Sequence, residues 1–203
     1  MRKLIVPAFI TLDGVIQSPG SPDEDTANGF AHGGWFWPYA DEATDAMEDL
    51  FQRPFELLLG RRTYDVFAGF WPQVEADSPL RATADLFNAT TKHVATHRPE
   101  ALGWNHSRTL GPDVTAAVRA LKHSDGPTLL TQGSSELVQQ LLATDVVDEL
   151  ILIVVPIVLG TGKRLFDERA QATAFALVSS TTSSKGNVVN RYVRECEVQV
   201  ASA

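Results

Sequence analysis

Two stretches of the chain place a glycine between a run of aliphatic residues and the start of a helical pattern. One is Leu57-Leu58-Leu59-Gly60-Arg61-Arg62-Thr63-Tyr64, and the other is Leu129-Leu130-Thr131-Gln132-Gly133-Ser134-Ser135. A strand that ends at such a junction brings the free backbone N–H groups of the next helix to one point. Those groups, at the positive end of the helix dipole, bind phosphate or pyrophosphate. Glycine lets the anion approach the backbone closely. Arg61 and Arg62 add forked, charge-assisted donors that suit phosphate geometry. One junction of this kind reads as a plain turn with solvated arginines, whereas two in one chain point to a nucleotide-like anion.

Other nucleotide signatures are missing. There is no G-x-x-x-x-G-K-[ST] run, and Gly160-Thr161-Gly162-Lys163-Arg164-Leu165 lacks the third glycine of G-x-G-x-x-G and opens no helix. Lys163 and Arg164 either hold a substrate phosphate or form a solvated turn. His93 and His97 have i, i+4 spacing, but on a strand that spacing does not converge on a metal. No G-x-S-x-G nucleophile elbow exists. The single cysteine, Cys196, reads as a small packing residue in the last strand. It permits neither an intramolecular disulfide nor a Cys-rich zinc site, and it points to a reducing cytoplasm.

The elements that carry these residues follow from periodicity. Strands are expected at Leu4 to Ile10 (interrupted by Pro7 or lying at an edge), Phe55 to Leu59, Lys92 to Thr96, Thr128 to Thr131 and Val147 to Val155. Helices are expected over Asp41 to Gln52, Thr63 to Ala68, Ser78-Pro79 to about Ala89, Pro112 to Lys122, and Ser134 or Ser135 to about Ala143. Phe175 to Thr181 and Val188 to Val200 read as a hairpin turning at Ser184-Lys185-Gly186-Asn187. Alternating strands and helices imply an α/β domain with a mostly parallel sheet, covered on both faces and extended by the hairpin at one edge. Residues 17–34, rich in Gly, Pro, Ser and Asp, form either a lid or a surface excursion.

Composition narrows the class. The 203 residues suit one domain, and they are 44% hydrophobic and 21% charged. Lys plus Arg number 17 and Asp plus Glu 25, a net charge of -8. That balance argues against a nucleic-acid binder and against a polybasic membrane contact. The longest apolar run, Leu150 to Leu159, is too short for a membrane span.

Four stretches carry a family resemblance. They are Thr11-Leu12-Asp13-Gly14-Val15-Ile16, then Leu58-Leu59-Gly60-Arg61-Arg62-Thr63-Tyr64, then Gln132-Gly133-Ser134, and last Val147-Asp148-Glu149-Leu150 with Pro156-Ile157-Val158-Leu159-Gly160-Thr161-Gly162. In their order and spacing the chain resembles the dihydrofolate-reductase-like superfamily. Within it, the chain is similar to the C-terminal reductase domain of the bacterial riboflavin-biosynthesis deaminase/reductase. The resemblance implies one three-layer α/β/α domain over residues 1–203 and an NADPH-dependent reductase. The substrate class implied is a small pyrimidine or pterin-like heterocycle, as for 5-amino-6-(5-phosphoribosylamino)uracil reductase. It also implies a homodimer, joined through the C-terminal strands, while the residue spacing itself offers no metal site.

The resemblance further implies where the cofactor lies. Gly60 and Thr63 would meet its pyrophosphate, and Arg61 with Arg62 its 2′-phosphate. Thr96, His97 and Arg98 would meet the adenosine ribose and its phosphate. Gly133, Ser134 and Ser135 would face the pyrophosphate from the second helix, and backbone groups near Phe9 and Ile16 would hold the nicotinamide amide. Trp35, Phe36, Trp37 and Tyr39 either stack on the substrate or pack the long loop onto the core. Folate reductases carry an acid on the first helix. Counting back from Gly60 reaches Thr44 instead, with Asp45 one residue on as the candidate proton donor. Asp41, Asp45 and Glu48 also lie opposite the Ala43-Met47-Leu50 stripe, as a solvated acidic face would. Dihydrofolate reduction, a non-catalytic NADPH-binding module and a purely structural protein stand as alternatives.

Overall fold

The computed structural model describes residues 1–195 and 198–200. Cys196, expected in the last strand, lies outside the described residues. Eight strands form one sheet: β1 (Leu4–Thr11), β2 (Phe55–Gly60), β3 (Lys92–Ala95), β4 (Ser107–Thr109), β5 (Thr128–Thr131), β6 (Glu149–Val155), β7 (Phe175–Thr182) and β8 (Val188–Arg194). Their order is β4-β3-β2-β5-β1-β6-β8-β7. The first six run parallel, and β6-β8-β7 run antiparallel. The helices are α1 (Asp45–Phe51), α2 (Arg61–Phe70), α3 (Arg81–Ala89), α4 (Val114–His123) and α5 (Ser135–Leu142).

The period-two alternation of strand side chains sorts the core into layers. Leu4, Val6, Leu58, Leu129, Leu150 and Leu152 pack with Val118 of α4 and Leu137, Val138 and Leu141 of α5. Their neighbours Ile5, Leu57, Leu59, Leu130 and Ile151 pack on the opposite face with Tyr64 of α2, Phe87 of α3, and Leu50 and Phe51 of α1. Consecutive aliphatic residues therefore serve two helix layers, which explains why the central strands are apolar throughout.

The structure corrects several boundaries. β1 lies between β5 and β6, so Pro7 marks no edge. The β1–β5 ladder stops at Ile5, so the missing N–H of Pro7 falls where that ladder has already ended. α2 begins at Arg61, directly after its N-cap Gly60. Ser78 starts a turn rather than α3, because its carbonyl accepts from Arg81 N at 3.0 Å. β4 went unread because three polar residues at a sheet edge have no apolar signature. β8 ends at Arg194, short of the expected Val200.

Candidate active site

β2 and β5 are neighbours, with Leu58 opposite Thr131, so the two glycine junctions lie side by side at the C-terminal edge of the sheet. Gly133 takes φ +82° and Ser134, the N-cap of α5, takes φ +61°. The first is ordinary for glycine, and the second is a left-handed backbone that serine adopts rarely. This turn sets the Ser134 side chain against Gly60, where any Cβ would collide with the Ser134 hydroxyl. Thr63 Oγ1 lies 2.8 Å from Ser134 Oγ. Glycine at 60 thus serves the close approach of the two junctions to each other. No side chain caps α2 or α5, whereas Asp113 caps α4 by accepting from Ala116 N at 2.9 Å. The first-turn amides of both junction helices remain for an anion.

Arg61 and Arg62 diverge. Arg61 Nε donates to both carboxylate oxygens of Asp65, at 2.8 and 3.0 Å. Its Nη1 donates to the Arg98 carbonyl at 2.9 Å and to Thr96 Oγ1 at 3.4 Å. The structure therefore brings Arg61, Thr96 and Arg98 together at the ends of β2 and β3. His97, the residue between the last two, is exposed. Asp65 was not singled out in the sequence, although its i, i+4 spacing from Arg61 on a helix is a signal for such a pair.

Arg62 turns toward the long loop and pairs with Asp25. Asp25 also accepts from Lys163 Nζ at 2.9 Å, and Lys163 reaches Glu136 in the first turn of α5 at 3.3 Å. Arg164 donates from Nε to the Asp13 carbonyl at 2.9 Å. Lys163 is thus engaged by the protein, whereas Arg164 remains exposed, as a solvated turn residue would be.

The loop over residues 17–34 is packed against this site. Buried Gln17 organises it: its Nε2 donates to the carbonyls of Asp25 and Ala27, and its Oε1 accepts from Lys163 N. Asp13 pins the facing loop, accepting from Leu159 N and Gly160 N at 3.2 and 2.9 Å. The Thr11 hydroxyl, followed by these amides, holds the Asp13 carboxyl below its usual range against some desolvation. The sequence assigns no role to Asp13, which stands in a family-like stretch, nor to Gln17 and Asp25, because the contacts that define them reach far along the chain, as from residue 13 to 160.

The aromatic stretch divides. Trp35 and Phe36 are buried with Val15, Phe30 and Val155, and the Phe36 ring lies 4.0 Å from that of Phe9. Trp37 is 59% exposed, with its Nε1 donating to the Gly20 carbonyl. An open surface depression of about 470 Å³ is lined by His32, Trp35, Tyr39 and residues 157–159, with Val158 exposed. The Ile16 amide is spent on the Lys163 carbonyl. Asp45 is exposed at the start of α1, and Thr44 Oγ1 donates to the Asp41 carbonyl at 2.9 Å. His93 is buried against Glu56 at 2.8 Å. Among the described residues no group of three or more His, Cys, Asp or Glu is placed to hold a metal.

A mostly parallel sheet between two helix layers, a C-terminal antiparallel hairpin and paired glycine junctions define a dihydrofolate-reductase-like α/β domain. Comparison with known proteins narrows this class. The sequence profile of the RibD C-terminal domain matches residues 2–189, and the chain belongs to that family. The chain is similar to two uncharacterised Bacillus subtilis proteins. YwjB is 28% identical over 95% of this chain and 98% of its own length. YyaP is 24% identical over 92% of each. The fold is shared with a putative riboflavin biosynthesis protein from Shewanella (TM-score 0.64, 22% identity, 96% of this chain and 99% of that one). It is shared too with a pyrimidine reductase-like protein from Corynebacterium diphtheriae (TM-score 0.61, 15% identity, 97% and 93%).

Proposed function

We propose that the chain is an NADPH-dependent reductase of a small pyrimidine or pterin-like heterocycle. One observation carries this reading: two uncapped helix N-termini meet through Thr63 and Ser134 beside the Arg61, Thr96 and Arg98 cluster. That donor set fits a dinucleotide, with amides for a pyrophosphate and a fixed guanidinium for a further phosphate. The bound cofactor would supply the hydride. Gly60, Thr63 and Gly133 to Ser135 hold its pyrophosphate, and Arg61 with Arg98 holds the 2′-phosphate. The heterocycle lies in the open depression lined by Trp35 and Tyr39, which belong to the same apolar cluster as Phe9. Every carboxylate of α1 is exposed, which favours a substrate other than a folate clamped by a buried acid.

The chain works as a homodimer joined through β7, whose residues from Leu177 onward are exposed on both faces. A thermal-shift titration tests the cofactor assignment. NADPH at about 100 times its dissociation constant stabilises the fold by about 2.7 kcal/mol. Absence of any shift with NADPH or NADH refutes it.

A further inference from the structure

Arg62 and Lys163 lie far apart in the sequence, yet both grip one carboxylate, that of Asp25. The Asp25 side chain is 11% exposed, Lys163 19% and Arg62 56%, so the cluster opens to solvent on the Arg62 side. It adjoins both junction helices, because Arg62 is the second residue of α2 and Lys163 reaches Glu136 in the first turn of α5. Two cations converging between two uncapped helix N-termini are the chemistry of a phosphate site. Here a residue of the long loop fills it.

We infer that Arg62 and Lys163 form a single phosphate-binding subsite, and that Asp25 is its built-in competitor, displaced when a ligand phosphate enters. The inference rests on the proposed dinucleotide reading for the identity of the ligand, but not for the existence of the subsite. Charge sets the competition. Arg62 and Lys163 are balanced by Asp25 and Glu136, so an incoming dianion meets no net positive charge until the Asp25 carboxylate swings out. The backbone of Asp25 need not move with it. Its N–H donates to Ser18 Oγ at 2.9 Å and its carbonyl accepts from Gln17 at 2.9 Å, and neither bond involves the carboxylate. The competitor therefore costs affinity and in exchange keeps the two cations converged while the site is empty.

The test is calorimetric titration of the whole chain with inorganic pyrophosphate and, separately, with NADPH. Asp25→Asn keeps an oxygen for the Ala27 amide and removes the charge. It is expected to bind pyrophosphate about tenfold more tightly than wild type, a like-charge contact relieved. Asp25→Glu keeps the charge and is expected to stay near the wild-type affinity. Arg62→Gln and Lys163→Gln leave Asp25 in place, and each is expected to weaken pyrophosphate by about threefold or more. Unchanged or weaker pyrophosphate binding by Asp25→Asn overturns the inference. So does a gain shared equally by Asp25→Glu, and so does indifference to either cation substitution. If pyrophosphate follows the expected pattern while no variant binds NADPH, the subsite stands and the cofactor reading falls.

Discussion

The hydroxyl of Thr63 lies 2.8 Å from that of Ser134, a contact between residues 71 positions apart that joins the two glycine junctions. It exists because Gly60 has no side chain and Ser134 accepts a left-handed backbone. Gly60→Ala is therefore expected to destabilise the chain by about 1–3 kcal/mol, the range for overpacking a filled site. The same substitution made in a Ser134→Gly background is expected to cost less than half as much, since the colliding hydroxymethyl is gone. Urea denaturation of the four chains measures both values, and equal costs in the two backgrounds would show that the clash lies elsewhere.

Arg61 has its Nε and Nη1 committed to Asp65, Thr96 and Arg98, which fixes the guanidinium before any ligand arrives. A fixed fork loses little freedom on binding phosphate. Arg61→Ala is expected to weaken NADPH by about 10- to 100-fold, the value of one or two charge-assisted hydrogen bonds. NADH, which lacks the 2′-phosphate, is expected to lose less than threefold (about 0.6 kcal/mol). Fluorescence titration with both cofactors separates the outcomes, and equal losses reject the 2′-phosphate assignment.

Much of this arrangement was legible in the sequence because it is local. Aliphatic runs ending at Gly60 and Gly133 predict strand-to-helix junctions wherever they fall. The convergence of Arg61 with Thr96 and Arg98 followed from family pattern rather than from spacing. The counter-ions were not legible. Asp25 looked like one more polar residue in an aperiodic loop, and only folding shows it between Arg62 and Lys163. Trp35 and Trp37 are two residues apart with the same aromatic character, yet one is buried and the other exposed. Composition does not encode which side of a loop faces the sheet.

Asp41 and Glu42 fasten the start of α1 to the β7–β8 turn. Asp41 accepts from the Ala43 and Lys185 amides and from Asn187 Nδ2, and Glu42 accepts from the Ser184 amide and hydroxyl. Desolvation pushes the Asp41 carboxyl up. Hydrogen bonds from Ser183, Ala43, Lys185 and Asn187 together outweigh it and hold the group well below the usual carboxylate range. A folded-state pKa below the unfolded value means stability that is present above about pH 4 and lost as pH falls through the folded value. Asp41→Asn is expected to flatten the decline in stability below pH 4 and to leave its slope at neutral pH unchanged. Urea midpoints measured from pH 2 to pH 7 check this, and an unaltered acid slope would remove Asp41 from the clamp.

β7 closes the sheet on one side with Leu177 and Val178 each 56% exposed, where the ladder to β8 shifts register, and its outer edge is unpaired among the described residues. A long edge strand with exposed apolar residues is a template for pairing, and β7 carries no lysine or proline to blunt it. A second copy pairing there would extend the sheet and set its own side chains beside Leu177 and Val178. Wild type is expected to sediment as a dimer, and Leu177→Lys with Val178→Lys to raise the dimer dissociation constant by about tenfold or more. The side chains of the first strands and the junctions lie across the sheet from β7, so the monomeric variant is expected to keep its cofactor affinity. Wild type sedimenting as a monomer at every concentration tested would assign the exposed strand to some other contact, and loss of cofactor binding with the dimer would make the interface part of the site.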